Sequence, residues 1–385
     1  KNPKVFFEKK EVKLKRISTT YNILSFFRDE FGINNLDLET EKNEAKNLVK
    51  LLRLNKDTPQ LYLLDKAINK GKISFEAKVN FDDKGKIEDN FKVTGKITNL
   101  YLNLLNKNEI KDLNFNFNFF NNNIDLKNLS LNYLNLEILS ENISLEKKNK
   151  FYLIKGKIKN SSEIIPNEII SQILKNDYFD KIILSSKNDF SFKINKNFKI
   201  SDLSIKSKIN IEEAIFGLEN KSIKKYIPDF ENEFKFINHN LDIEYKKKIL
   251  AKGSGNILIG NKEDKIEYNL NYINDKLEYV AVLFLNQTSI KLDLINFSKK
   301  ENIKSKLRVK GKNSNKKIKI EKISLSTDNS NISLDNFEIT KNYRITNFEK
   351  IKLDYFDVEN KKNDLLIKNN NKNHYLISGN NFNLS

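Results

Sequence analysis

Apolar and polar residues alternate with period two along most of the chain, as in strands with one buried face. The clearest stretch is Leu113-Asn-Phe115-Asn-Phe117-Asn-Phe119, where every second residue is apolar and every intervening one is Asn. On a helix these side chains would spread around the cylinder, whereas a pleated strand places all four on one side. The alternation recurs at Phe190, Phe192, Ile194; at Phe234, Phe236; at Leu241, Ile243, Tyr245; and at Ile266, Tyr268, Leu270, Tyr272. It continues through Ile303, Leu307, Val309, with Ser305 interrupting, and through Ile318, Ile320 and Ile351, Leu353, Tyr355. Asn clusters at 121–123 and 369–371 predict loops between strands, because Asn tolerates left-handed backbone.

Helical spacing is local. Thr58-Pro59 supplies a cap followed by Pro at the first helical position, and Gly71 a stop after Leu61, Leu64, Ala67 and Ile68. Short helices are also predicted over Tyr21 to Phe31, Pro166 to Leu174 and Glu212 to Tyr226. Five glycines (Gly95, Gly156, Gly253, Gly311, Gly379) close the frame apolar-x-apolar-x-Gly, which places each missing side chain on the apolar face. The frame fits hairpins with inward kinks, or a long sheet curled into a trough. Its spacing is too irregular for a solenoid rung.

The alternation reads as an antiparallel, mainly β protein, and composition excludes other classes. Gly (11) and Pro (4) are scarce among 385 residues, so collagen-like, linker-like and Gly-rich phosphate-loop architectures are excluded. No apolar run approaches a membrane span; the longest is Tyr279 to Leu285. The chain contains no Met, so it is expected to be a fragment or processed segment, and no Cys, so thiolate chemistry and disulfides are excluded. The net charge of +18 comes from 69 Lys and Arg, of which only five are Arg, against 51 Asp and Glu. With 60 Asn and abundant Ile, this composition reflects AT-rich coding as much as a partner.

Candidate chemistry is sparse. Adjacent acidic residues such as Asp82-Asp83 and Glu212-Glu213 point to opposite faces of a strand and do not converge. The two histidines, His239 and His374, are far apart in polar contexts and read as surface residues. No phosphate loop, dinucleotide fingerprint or metal-ligand spacing is present, and Lys252-Gly253-Ser254-Gly255 lies inside an alternating pattern. No enzyme activity, cofactor or metal is therefore expected. From Lys299 to Lys322 there are eleven basic and two acidic residues. The stretch has one Arg and no aromatic, so it lacks the bidentate and stacking groups of a nucleic-acid site and reads as a solvated sheet face.

The run from Leu61 to Asn160 resembles a known family. It contains Ile68-Asn-Lys-Gly71, Lys72-Ile-Ser-Phe75, Phe91-Lys-Val-Thr-Gly95-Lys-Ile-Thr-Asn99, Asp112-Leu-Asn-Phe115, Ile124-Asp-Leu126 and Ile154-Lys-Gly156-Lys-Ile-Lys-Asn160. With Ile351-Lys-Leu-Asp354-Tyr and Tyr375-Leu-Ile-Ser-Gly379 near the end, it is similar to YhdP-like proteins of the AsmA-like group, which includes TamB. The Trp residues common in such proteins are absent, and no site residue carries over. The resemblance implies a periplasmic segment of an envelope protein, held in the inner membrane by an N-terminal anchor outside this chain. It also implies a β-groove passing phospholipid towards the outer membrane, with outer-membrane proteins as further partners.

The expected fold is an elongated, twisted antiparallel sheet curled into an open apolar groove, with a few short helices. The segments expected are 1–70 (strand and short helices), 71–160 (a β-repeat unit), 161–230 (mixed) and 231–385 (further β-repeats). Acyl-chain contacts are expected from Leu113, Phe115, Phe117, Phe119, Ile266, Tyr268, Leu270, Tyr272, Leu307 and Val309, whose strands each present an unbroken uncharged face. Hydrocarbon gains about 0.8 kcal/mol per buried methylene there without any specific polar site. The alternatives are a structural or adhesive β protein with closed sheets, and a basic nucleic-acid binder.

Overall fold

The computed structural model describes residues 4–7, 10–27, 31–55, 57–104, 108–174, 179–218, 223–314, 318–339, 345–371 and 374–382. The protein is mainly β, with four short α-helices among the described residues, and every strand pairing described is antiparallel. The chain divides into two units, 1–161 with 187–204 and 162–186 with 205–385.

In the first unit, strands β1 (Lys4–Phe7), β2 (Lys10–Tyr21) and β3 (Ile33–Thr40) lead, after the two-residue β4 (Asn43–Glu44), into β5 (Ile68–Asn80). A meander follows through β6 (Lys92–Leu104), β7 (Asn108–Phe120), β8 (Asn123–Tyr133), β9 (Leu136–Lys147) and β10 (Phe151–Ile164). Helix α1 (Ile23–Phe26) is one turn, capped by the Asn22 side chain, within the helix expected over Tyr21 to Phe31. Helix α2 (Ala45–Asn55) was not expected, although Ala45, Leu48, Val49 and Leu52 follow helical spacing. Helix α3 (Pro59–Ala67) starts where Thr58 accepts a hydrogen bond from the Leu61 amide, but ends before Gly71. Arg53 ties the two together, donating to Asp57 (2.9 Å) and Asp65 (2.6 Å) and lying 5.0 Å from the centre of the Tyr62 ring. Ala45 and Val49 are buried with Ile68, Leu100, Leu113 and Leu129, so α2 covers one end of the sheet's apolar face.

Strands β11 (Phe179–Asn195) and β12 (Ile200–Gly217) follow α4 (Asn167–Leu174). Residues Glu212 to Gly217 extend a strand instead of forming a helix, and Ile223–Lys225 makes a 3-10 turn; residues 219–222 of the expected helix lie outside the described residues. The second unit continues with β13 (Glu233–Tyr245), β14 (Ile249–Ile259), β15 (Lys262–Ile273) and β16 (Lys276–Phe284). A side hairpin, β17 (Ile290–Leu292) and β18 (Phe297–Lys299), separates these from β19 (Ser305–Ser314), leaving Ile303 outside any strand. Strands β20 (Ile318–Thr327), β21 (Asn331–Ile339), β22 (Ile345–Asn347), β23 (Lys350–Phe356), β24 (Lys362–Asn371) and β25 (His374–Asn381) complete the ladder. The expected loop at 121–123 is a turn at Asn121 and Asn122, whereas 369–371 belongs to β24.

The side hairpin and the turn before β13 cap one end of the second unit's apolar face. Phe230, Leu285, Ile290 and Phe297 are buried there against Ile257, Ile259, Leu325 and Tyr355. Two buried charges hold this cap. The Asp264 carboxylate accepts from the amides of Asn286 (2.6 Å), Gln287 (2.9 Å) and Thr288 (3.0 Å). Lys299 Nζ donates to the carbonyls of Leu285 (2.5 Å), Asn286 (3.1 Å) and Thr288 (2.6 Å). Burial pushes the Lys299 ammonium below its ordinary value. The loop's amides and carbonyls are satisfied by opposite charges instead of by a partner strand.

Left-handed Asn and Asp residues lie within strands as well as in turns. Asn99 (φ 50°), Asp112 (φ 50°) and Asn128 (φ 51°) fall in neighbouring strands, and register shifts in the β6–β7 and β7–β8 pairings bracket the first two. Each extra residue restores parity, so that Ile97 and Leu100, Ile110 and Leu113, and Leu126 and Leu129 all reach the same cluster. Asn99→Gly is expected to preserve stability, while Asn99→Val, β-branched at positive φ, should cost about 1–3 kcal/mol in urea unfolding. Equal midpoints for the two variants would refute a bulge requirement.

Candidate functional site

The pairing registers align the alternating residues into uncharged rows. In the second unit one row runs Leu241, Gly253, Tyr268, Ala281, Val309, Ile323, Leu334, Ile351, Ile367, Ile377 across ten strands. The adjacent row contains Gly255, Ile266, Leu283, Leu307, Leu325, Ile332, Leu353 and Leu365. In the first unit, Phe75, Gly95, Phe117, Leu126, Ile143 and Gly156 form one row. Leu38, Ala77, Val93, Phe119, Ile124, Leu145 and Ile154 form the next.

Four expected contact residues thus share a face in the first unit and six in the second. Leu113 is buried in the first unit's core cluster and Phe115 packs against it. Phe117 and Phe119 lie further along the same face, half-buried, with Phe119 stacked 5.1 Å from Phe91. In the second unit Ile266 and Leu307 pack against the capped core. Tyr268, Leu270 and Val309 continue the face, half-buried. Tyr272 is exposed at the far end of its strand, its hydroxyl donating to Asp275 (2.9 Å).

Glycines in these rows are covered by aromatic rings from neighbouring strands. The Tyr268 ring lies over Gly253, Phe117 over Gly95, Phe190 over Gly156 and Tyr279 over Gly311. An added Cβ at Gly95 would fall 2.6 Å from the Phe117 ring, and one at Gly156 2.8 Å from Phe190. At these positions the repeated frame therefore makes seats for rings. At Gly379 the close neighbour is backbone, the carbonyl of Asp364.

The sequence reading missed His239. It is buried, not a surface residue: its ring stacks on Tyr268 with centroids 5.4 Å apart, and Nε2 lies 3.1 Å from the Tyr268 hydroxyl. Asn238 (φ 47°) sits in the register shift between Ile237 and Asn240, and this bulge turns His239 onto the apolar side above Gly255. Nδ1 has no hydrogen-bond partner, and burial holds the imidazole below its ordinary value. His374 is exposed on β25.

Polar residues take the opposite side. Lys310 pairs with Glu321 (2.8 Å), and Lys312 with Glu278 and Glu321 (3.2 Å each), so the β19–β20 part of the basic stretch is a solvated, ion-paired face. Asp82 and Asp83 lie in a turn, where Asp82 accepts from the amides of Lys84 (3.0 Å) and Lys86 (2.8 Å). A hollow of about 550 Å³ has the row Ala251, Leu270, Tyr279, Gly311 as its floor, with Lys252, Asn269, Asn271, Glu278, Lys310 and Lys312 around it. A second hollow, about 380 Å³, is bordered by Ser74, Glu76, Thr94, Lys96 and Asn116. Both hollows are walled by polar-side residues, and a twisted sheet is concave along one diagonal on each side. No helix among the described residues is long and apolar enough to cross a membrane.

Gly253→Ala should destabilise the protein by about 1–3 kcal/mol through overpacking against Tyr268. Combined with Tyr268→Ala it should cost less than the sum of the single changes, a coupling readable in a double-mutant cycle. The depressed His239 value means that the unfolded chain binds more protons than the native one as pH falls below about 6.5. Stability is therefore lost as pH drops through the folded value. The urea midpoint of the wild type should fall more between pH 7 and pH 5 than that of His239→Gln; parallel profiles would refute this.

No protein-family model matches the chain, and neither curated proteins nor solved structures include a significant match to it.

Proposed function

We propose that this protein binds lipid acyl chains along its apolar sheet faces and serves as a non-enzymatic segment of an envelope lipid conduit. One observation carries the reading: beyond the caps, the uncharged rows continue across the sheet as half-buried Phe, Leu, Ile, Val and Tyr. Such a face gains free energy by burying hydrocarbon, at about 25 cal/mol per Å² of apolar surface, and needs no polar recognition group. The aromatic rings over glycine keep it smooth, so a flexible chain meets no protruding charge.

In this reading the face curls into a groove, with Phe117 and Phe119 contacting an acyl chain in the first unit and Tyr268, Leu270 and Val309 in the second. Leu113, Phe115, Ile266 and Leu307 act from beneath the caps, as the closed end of each site. The periplasmic setting, an inner-membrane anchor outside this chain, phospholipid as cargo and outer-membrane partners follow from the YhdP-like resemblance.

Photocrosslinking residues at Phe117 and Leu270 should capture phospholipid in cells, and lipid extracted from the purified wild type should exceed that from Phe117→Asp. Phe117→Asp should remain folded if the face is wet-edged, whereas a sealed core would lose several kcal/mol. Crosslinks only to the same chain, with no lipid by mass spectrometry, would favour the closed structural sheet and refute the conduit.

A further inference from the structure

The outer surface of the second unit's cap carries a feature that acyl binding on the sheet does not use. Leu294, in the 3-10 turn Asp293–Ile295, is 91 % exposed, the most exposed large apolar side chain among the described residues. Tyr226 and Val358, on segments hydrogen-bonded to residues that flank this turn, are 55 % and 58 % exposed. Backbone hydrogen bonds join the three segments: the Lys291 amide donates to the Tyr226 carbonyl (2.9 Å), and the Val358 amide to the Asn296 carbonyl (3.1 Å). Tyr355, buried below, donates from its hydroxyl to the Ile295 carbonyl (2.5 Å). The turn is therefore built, and ends on left-handed Asn296 (φ 51°). Its inward residues Leu292 and Ile295 pack on the core, leaving Leu294 to project from a braced base.

The charge around this tip selects a partner. Lys291 is paired with Asp293 (2.9 Å) and Lys361 with Glu359 (2.6 Å). Lys224 and Lys225, next to Tyr226, are exposed and have no carboxylate partner among the described residues. A projecting Leu, a Tyr with an apolar body and polar tip, and two exposed ammonium groups without a described carboxylate partner match the layers of a bilayer surface. Acyl chains take the Leu, the interfacial zone takes the Tyr, and phosphates take the Lys. We propose that this tip docks the protein onto an anionic lipid bilayer, with Leu294 entering the acyl layer and Lys224 and Lys225 meeting headgroup phosphates. The docking surface is separate from the sheet face and does not depend on the acyl-chain reading.

Co-sedimentation with vesicles tests this. The intact chain should bind vesicles of two parts phosphatidylcholine to one part phosphatidylglycerol, more weakly at high salt, and bind pure phosphatidylcholine poorly. Leu294→Asp should lower the affinity at least about tenfold while leaving circular dichroism and the urea midpoint unchanged, since the side chain is solvated in the free protein. Lys224→Gln with Lys225→Gln should weaken binding and flatten its salt dependence. Phe117→Asp, on the sheet face, should bind vesicles as the wild type does, which separates this result from that of the acyl site. Absence of binding to the anionic vesicles would overturn the proposal. So would wild-type affinity in Leu294→Asp, or a Leu294-dependent dimer that ignores vesicles.

Discussion

The structure depends on one geometric constraint: each strand must place its apolar set on the same side as those of its neighbours. A one-residue slip would transfer a whole strand's Phe, Ile and Leu to the side occupied by Lys and Asn. Rows such as Leu241 to Ile377 satisfy the constraint over ten strands. Long strands accumulate parity errors, and the protein corrects them with left-handed Asn and Asp at bulges. The abundance of Asn, which coding bias alone would explain at the level of composition, has a structural use at Asn99, Asn128 and Asn238.

Packing and polarity follow from that alignment. At Gly95, Gly156, Gly253 and Gly311 a Phe or Tyr ring from a neighbouring strand fills the space, and at Gly255 the His239 ring does, so the face stays continuous where the side chain is missing. Where the face is covered, local elements do it: α2 in the first unit and the β17–β18 excursion in the second. The second cap brings backbone polar groups into a buried setting, and Asp264 and Lys299 resolve that cost with six charge-assisted hydrogen bonds. Lys299 belongs by sequence to a basic stretch whose other described Lys and Arg residues are exposed, and is buried because the hairpin carries it inward.

Much of the fold was legible in the sequence. Period-two alternation identified the strands holding Leu113 to Phe119, Ile266 to Tyr272 and Ile351 to Tyr355, because side-chain direction in a strand depends on parity alone. The capping pair Thr58-Pro59 located α3 for an equally local reason. Helix α2 was legible but overlooked, its spacing at Ala45, Leu48, Val49 and Leu52 being as helical as that of α3. The end of β12 misled, since Glu212 to Gly217 are the last six residues of an eighteen-residue strand whose length is decided by pairing with β13.

The sequence by itself determined which residues are apolar, their parity within each strand, and hence that a one-sided antiparallel sheet would form. Register, bulge position and cover were decided only in three dimensions, because each depends on what lies across a strand boundary rather than along it. His239 shows the difference. Its neighbours in sequence are Asn238 and Asn240, which suggest solvent. Its neighbours in space are Tyr268, Phe236 and Gly255, reached only because the bulge at Asn238 turns it onto the apolar side.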